Sequence, residues 1–332
     1  MPVLPNRRVP YIISLDYSRC QQSTEADLQR AGTHADTSCP LVSLNRLKPL
    51  LGAVLAVAGS AGIGSGHVQP EFAKNLPSSA NDFVRDVLHH EVAAQEQDHA
   101  LWSCRMEKRE DGKQKLFLVY QTRYGDIERL FAIDGLPLTP AQIQTEDQRI
   151  ERLISSPAEI RLQQKKQRSD GEHARNLLHM LPEAFDFRYD GTQGSLVRLR
   201  FTPNPKFHPP DHEGQVFHHM QGTMLLDPQQ KRLAAIDGTL TSEVKFFGGL
   251  FGHLDKGGTF VVQQQEVSGQ FWEVTEMHVH MSGKALFFKT IGVQEDENYS
   301  NFDLVRGDPT LSQAAEFLKR DVRDTSQAQA RN

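Results

Sequence analysis

The sequence predicts a mainly β protein of the α+β class: a curled antiparallel sheet of about eleven strands forming a half-barrel, with an N-terminal helix and an inserted helical lid. Three observations predict it. Over most of residues 99–303 apolar and polar side chains alternate with a period of two, interrupted by short pairs containing Gly or Asp. The period becomes helical in two places, at 79–97 and again between Thr139 and Leu181. Finally, 38% of the 332 residues are hydrophobic, with 18 Phe against 6 Tyr and 2 Trp, enough apolar material for a core.

Each element follows from local chemistry. Residues 79–97 place Phe83, Val84, Val87, Leu88 and Val92 on one helical face, with Asn81 and Asp82 near the start where free amides need acceptors. Runs at 99–110, 115–124 and 127–134 are separated by Glu110-Asp-Gly-Lys113 and Tyr124-Gly-Asp126, both suited to hairpin turns, so a three-stranded meander follows the helix. Thr139-Pro-Ala-Gln142 combines a capping Thr, Pro at the first helical position and Gln three residues on, and Ser156-Pro-Ala-Glu159 repeats the pattern. The first of these helices carries Ile143, Ile150, Leu153 and Ile154; the second, across 161–168, is polar enough to be solvated; a short third helix is expected at 172–181.

From Ala184 to Asp303 the reading is entirely strand: 185–189, 196–202, 215–226, 232–236, 239–247, 259–267, 271–281 and 284–302. The breaks fall at Asp190-Gly191, Asp227-Pro228, Asp237-Gly238, Gly257-Gly258, Ser268-Gly269 and Ser282-Gly283. Consecutive hairpins of this length form one sheet too wide to stay flat. A short helix after Thr310 and a polar tail close the chain.

Charge and motifs exclude several classes. With 37 Lys and Arg against 42 Asp and Glu, the net charge is −5, opposite to the field a nucleic-acid binder carries. Three cysteines, Cys20, Cys39 and Cys104, make neither a disulfide framework nor a zinc ribbon. No Gly-x-Ser-x-Gly elbow, His-Glu-x-x-His helix, Walker loop or dinucleotide fingerprint is present, so a non-enzymatic protein without a cofactor is expected.

Arg46 and Lys48, the apolar run from Pro49 to Gly64 and the small residues up to Gly66 have the order of an export signal, too short and Gly-rich for an anchor. The expected layout is a non-structured leader or mis-assigned start at 1–45, a signal peptide at 46–66 cleaved between Gly59 and His67, a linker at 67–78, the half-barrel at 79–305 and a helix and tail at 306–332. Removing residues 1–66 takes away six basic and four acidic residues, moving the net charge to −7.

The meander from Trp102 to Gly135, the capped helices from Thr139 and the hairpins between Gln215 and Phe302 together resemble, in order and texture, the LolA/RseB-like superfamily of bacterial envelope proteins. The resemblance implies an incomplete antiparallel barrel lidded by helices, a concave face that takes acyl chains or hydrophobic peptide, and a periplasmic or secreted, monomeric protein. The implied partner is a lipid or other hydrophobic small molecule, with an envelope protein as the alternative, peripheral membrane contact and no nucleic acid. A hydrolase whose site the sequence does not display is the second alternative.

Two stretches carry candidate residues. Val244 to Gly258 sets Phe246, Phe247, Leu250, Phe251 and Leu254 among five glycines, joining large apolar groups to a flexible backbone, as a cavity wall or gate requires. Strand alternation places Met277, Val279 and Met281 on one face with Thr275, a wall of adaptable side chains, and Trp272, Val274, Glu276, His278 and His280 on the other. The same residues equally serve an ordinary packed core. His278 and His280 share a face and are the weak candidates for a metal site, which lacks a third ligand at recognisable spacing.

Overall fold

The computed structural model describes residues 76–110, 112–246, 252–285 and 289–329. The leader, signal and most of the linker expected from the sequence lie outside the described residues. A leading helix α1 (Ala80–Gln97) is followed by β1 (Trp102–Glu110), β2 (Lys113–Thr122), β3 (Gly125–Ile133) and the two-residue β4 (Leu136–Pro137). Helices α2 (Pro140–Ser155) and α3 (Pro157–Ala184) come next, then β5 (Phe185–Gln193), β6 (Leu196–Pro203), a one-turn α4 (His212–Gln215) and a 3-10 turn (Val216–His219). Strands β7 (Met220–Asp227), β8 (Arg232–Leu240), β9 (Val244–Phe246), β10 (Gly252–Leu254), β11 (Thr259–Ser268), β12 (Phe271–Ala285) and β13 (Lys289–Leu304) precede the last helix, α5 (Leu311–Gln329).

All strands join one antiparallel sheet in the order β4-β3-β2-β1-β13-β12-β11-β8-β7-β6-β5, with β9 and β10 attached to the far end of β12. The expected open antiparallel sheet is therefore present, but its hairpins are not all consecutive. The N-terminal meander is joined to the last strand through β1 and β13, and β8 pairs with β11 across the β9–β10 hairpin.

Four local expectations are corrected. The second and third helices are one helix of 28 residues. Its polar stretch is not merely solvated: Gln163 donates to Asp126 O at 2.8 Å, Gln164 to Tyr124 O at 2.8 Å and Gln167 to Asp126 Oδ2 at 3.0 Å, so these amides fix the helix to the end of β3. The strand expected from Gln215 begins only at Met220, the preceding residues being helical. Asp190-Gly191, Asp237-Gly238 and Ser282-Gly283 are not turns but lie inside β5, β8 and β12.

The glycine inside β8 has a packing reason. Gly238 pairs with Gly222 of β7, and the rings of Phe260 and Phe201 lie against this pair. A Cβ on Gly238 would stand 2.3 Å from Phe260 Cε1, and one on Gly222 would stand 1.9 Å from the Asp237 carbonyl oxygen. The aromatic rings fill the space the missing side chains leave, so the strand continues where Asp-Gly otherwise reads as a turn.

Helix α3 also shows that the sheet curls. Seventeen residues separate Gln167, bound to β3, from Ala184, which leads directly into β5, about 26 Å of helix. Nine strand-to-strand steps lie between β3 and β5, about 43 Å if the sheet were flat. The shorter helical path requires the two ends of the sheet to bend toward each other, with α3 across the opening.

At that opening the edge strand β5 is protected. Asn81 of α1 accepts from Phe187 N at 3.0 Å and donates to Phe185 O at 2.9 Å, so one side-chain amide supplies what a neighbouring strand would supply. The largest core cluster lies between α1, the C-terminal half of α3 and the inner face of β5 to β12. A second cluster, on the other face of β2 and β3, packs against α2 and α5.

Gly222→Ala is expected to destabilise the fold more than Gly238→Ala, each by roughly 1–3 kcal/mol or more, because the first meets backbone and the second an aromatic ring. Equilibrium urea denaturation checks the order; two neutral substitutions would contradict the ring-over-glycine account.

Candidate functional site

The strand register builds the inner face row by row, because directly opposed residues in antiparallel strands point the same way. One row runs Lys108, Glu297, Met277, Val262, Ile236, Met224, Leu199 and Tyr189 across eight strands. It is charged at the β1–β13 end and apolar from Met277 onward. Val279 lies in the neighbouring row, with Phe260, Phe201 and Phe187.

The structure brings five of the eight cavity candidates together. Phe246, Leu254, Met277, Val279 and Met281 all belong to the inner cluster, and Met277 has no solvent contact at all. Phe246 and Leu254 arrive on the paired strands β9 and β10, which alternation alone does not connect to β12. Phe247, Leu250 and Phe251 lie outside the described residues. Val274, expected on the opposite face of β12, is buried in the same cluster. The register shifts between Gln263 and Gln264, opposite Glu276 and Val274, so Thr275 is an extra residue and reverses the alternation before it.

Helix α1 covers this face. Phe83, Val84, Val87, Leu88 and Val92 are all buried in the inner cluster, and the helix packs on β5, β8 and α3. Among these apolar residues stands Glu91, fully buried. Its carboxylate accepts from Arg232 Nε at 2.8 Å, Arg232 Nη2 at 3.2 Å, Leu233 N at 2.9 Å and Gln95 Nε2 at 2.8 Å. The Arg232 guanidinium lies over the Trp272 ring at 5.5 Å, so its charge is held between a carboxylate and an aromatic face. The sequence reading missed this pair, although Glu91 four residues after Val87 was the one acid on an apolar stripe.

At the charged end of the row, Lys108 is paired with Glu297, whose other oxygen accepts from Tyr299 OH at 2.6 Å. Burial works to lower the Lys108 ammonium, but the charge and hydrogen bond of Glu297 outweigh it and hold the group above its ordinary range.

His278 and His280 are on the other face. His278 lies 2.8 Å from Asp296 through Nδ1 and 2.8 Å from Glu276 through Nε2, and His280 Nε2 lies 2.7 Å from the same Asp296 oxygen. His278 serves both carboxylates as a donor only when both nitrogens carry protons. Burial pushes the Asp296 carboxyl up, yet the hydrogen bonds and charges of the two imidazoles hold it below the usual carboxylate range. Among the described residues, no group of three or more His, Cys, Asp or Glu side chains is placed to hold a metal ion.

No protein-family model and no curated protein matches this chain. Among solved structures, the crystal structure of a DUF1329 family protein from Desulfovibrio piger is similar, with 12% identity, 69% of this chain and 95% of that chain covered, and a TM-score of 0.26. Among the described residues, no helix is long and apolar enough to cross a membrane.

Glu91→Ala is expected to cost about 3–5 kcal/mol, because it leaves Arg232 buried without its carboxylate; a urea midpoint within error of the unmodified protein would contradict the anchoring role. For Asp296, a lowered carboxyl in the folded state contributes stability that is fully present above the unfolded carboxylate range and is lost as the pH falls from there through the lower folded-state range. The stability gap between the unmodified protein and Asp296→Asn should therefore be open at pH 6 and narrow progressively as the pH falls below the ordinary carboxylate range in paired denaturation curves. A gap independent of pH would refute the ion-pair assignment.

Proposed function

We propose that this protein is a non-enzymatic, exported envelope protein that holds a long hydrophobic ligand, an acyl chain or lipid, against the inner face of its half-barrel. The observation that carries this reading is the apolar inner face itself. Met277, Val279 and Met281 continue into Val262, Ile236 and Met224 across a sheet that stays open at one side and is bridged there by α3. The likeness of its element order to LolA/RseB-like proteins supports the same ligand class.

Helix α1 lies where the ligand would lie. Its five apolar side chains contribute about 1.5–3 kcal/mol each when buried, on the order of 10 kcal/mol together. A ligand that displaces them must bury comparable surface, about a dozen methylenes at roughly 0.8 kcal/mol each. That arithmetic selects long chains over short ones. Met277 and Met281 suit the task because a thioether adapts to an irregular apolar surface.

A second reading is favoured by α1 itself, since it demonstrates that the face accepts an amphipathic helix with anchors at helical spacing. The same groove would then take a helical segment of an envelope protein.

Native mass spectrometry of the protein purified without detergent from its own envelope tests both. A stoichiometric added mass that organic solvent extracts as lipid is the expected result. A folded protein with no added mass, and no fluorescence enhancement of the neutral probe N-phenylnaphthylamine, would overturn the lipid reading; an added mass that proves to be polypeptide would favour the second.

A further inference from the structure

The outer face of the sheet carries a separate cleft of about 590 Å³ between α2, α5 and β3, within the size range of small-molecule sites. Its wall is aliphatic, formed by Ile150, Ile154 and Ala315. Its floor is ionic. Arg129 projects from β3 with only 5% of its side chain exposed and pairs with Asp147 of α2, and Lys319 of α5 reaches the same carboxylate at 3.5 Å.

Two cations thus share one acid. Asp147 accepts from the Nη2 corner of the Arg129 guanidinium, while the adjacent Nε–H is buried with no acceptor among the described residues. A buried donor left unsatisfied is costly, and an oxygen entering beside Asp147 would relieve it. The Asp147 carboxyl, pushed up by burial, is nevertheless held below its ordinary range by both cations, so it stays ionised and leaves a single positive charge over on the floor. At the rim, Arg152 is flanked by the acids Glu151 and Glu316, all three exposed.

We propose that this cleft binds a small amphipathic monocarboxylate, its head at Lys319 and Arg129 and its apolar body along Ile150, Ile154 and Ala315. One residual positive charge matches a monoanion. A dianionic phosphate exceeds that single residual charge and an amine is repelled by it, so both are disfavoured. This site is independent of the inner face, and a chain of eight carbons is too short to displace α1 there.

The test is a titration of the whole protein with octanoate, followed by NMR of its isoleucine methyl groups. The Ile150 and Ile154 methyls should shift saturably while Ile236, on the inner face, does not. Lys319→Met, a change at a side chain 38% exposed, should weaken the apparent affinity by roughly tenfold while the remaining methyl spectrum stays unchanged. Ser155→Trp, at the exposed rim, should fill the entrance and abolish the shifts. Octylamine should give none. The proposal is overturned if octanoate moves Ile236 rather than Ile150 and Ile154, if octylamine produces the same shifts, or if the Lys319 and Ser155 variants respond as the unmodified protein does.

Discussion

A fully buried carboxylate sits where α1 meets the sheet, and most of the architecture depends on how it is satisfied. Glu91 cannot remain there unpaired, so α1 must lie where Arg232 and the Leu233 amide can reach it. That requirement places the apolar stripe of α1 on β8 and against α3. It also carries Asn81, three turns earlier, to the open edge of β5, where its amide closes the strand. The turn leading into β8 is built to present the cation: Asp227 accepts from the Gln229 and Gln230 amides, and Lys231 takes a positive φ and pairs with Asp86 of α1. One ion pair therefore sets the height and rotation of the helix that covers the inner face.

The two faces of the sheet are used differently. Inside, α1 and α3 enclose a wall of Met, Ile, Leu, Val and Phe that ends in the Lys108, Glu297 and Tyr299 group. Outside, α2 and α5 lie over β2 and β3 and leave a cleft with a charged floor. Helix α3 connects these regions, its glutamines at β3 and its leucines in the inner cluster. Because that one helix is hydrogen-bonded to β3 and runs directly into β5, the curvature of the sheet and the position of the lid are coupled.

Much of the fold was legible in the sequence because its signals are local. The caps at Thr139 and Ser156 mark helix starts, whereas α1 is capped by Ser79 and not by the Asn81 and Asp82 read there; β1, β2 and β3 fall close to their alternating runs. What was not legible depends on partners distant in the chain. Gly238 reads as a turn until Phe260 is known to lie against it, and Val274 reads as outward until Thr275 is known to be an extra residue. The polar stretch of α3 reads as solvated until its glutamines find the carbonyls of β3. The candidate site divides similarly. Alternation identified Met277, Val279 and Met281 as one buried face, while Glu91, Arg232 and Arg129 are significant only because of what faces them across 141 residues in one case and 18 in the other.

If α1 is the element that must leave for a ligand to enter, it has to open without unfolding the sheet beneath it. Native-state hydrogen exchange measures this directly. The α1 amides should exchange through an opening of lower free energy than those of β7 and β8, and bound long-chain lipid should change that difference. Identical opening energies for α1, β7 and β8, unaffected by lipid, would show a single cooperative core and contradict the inner face as a ligand site.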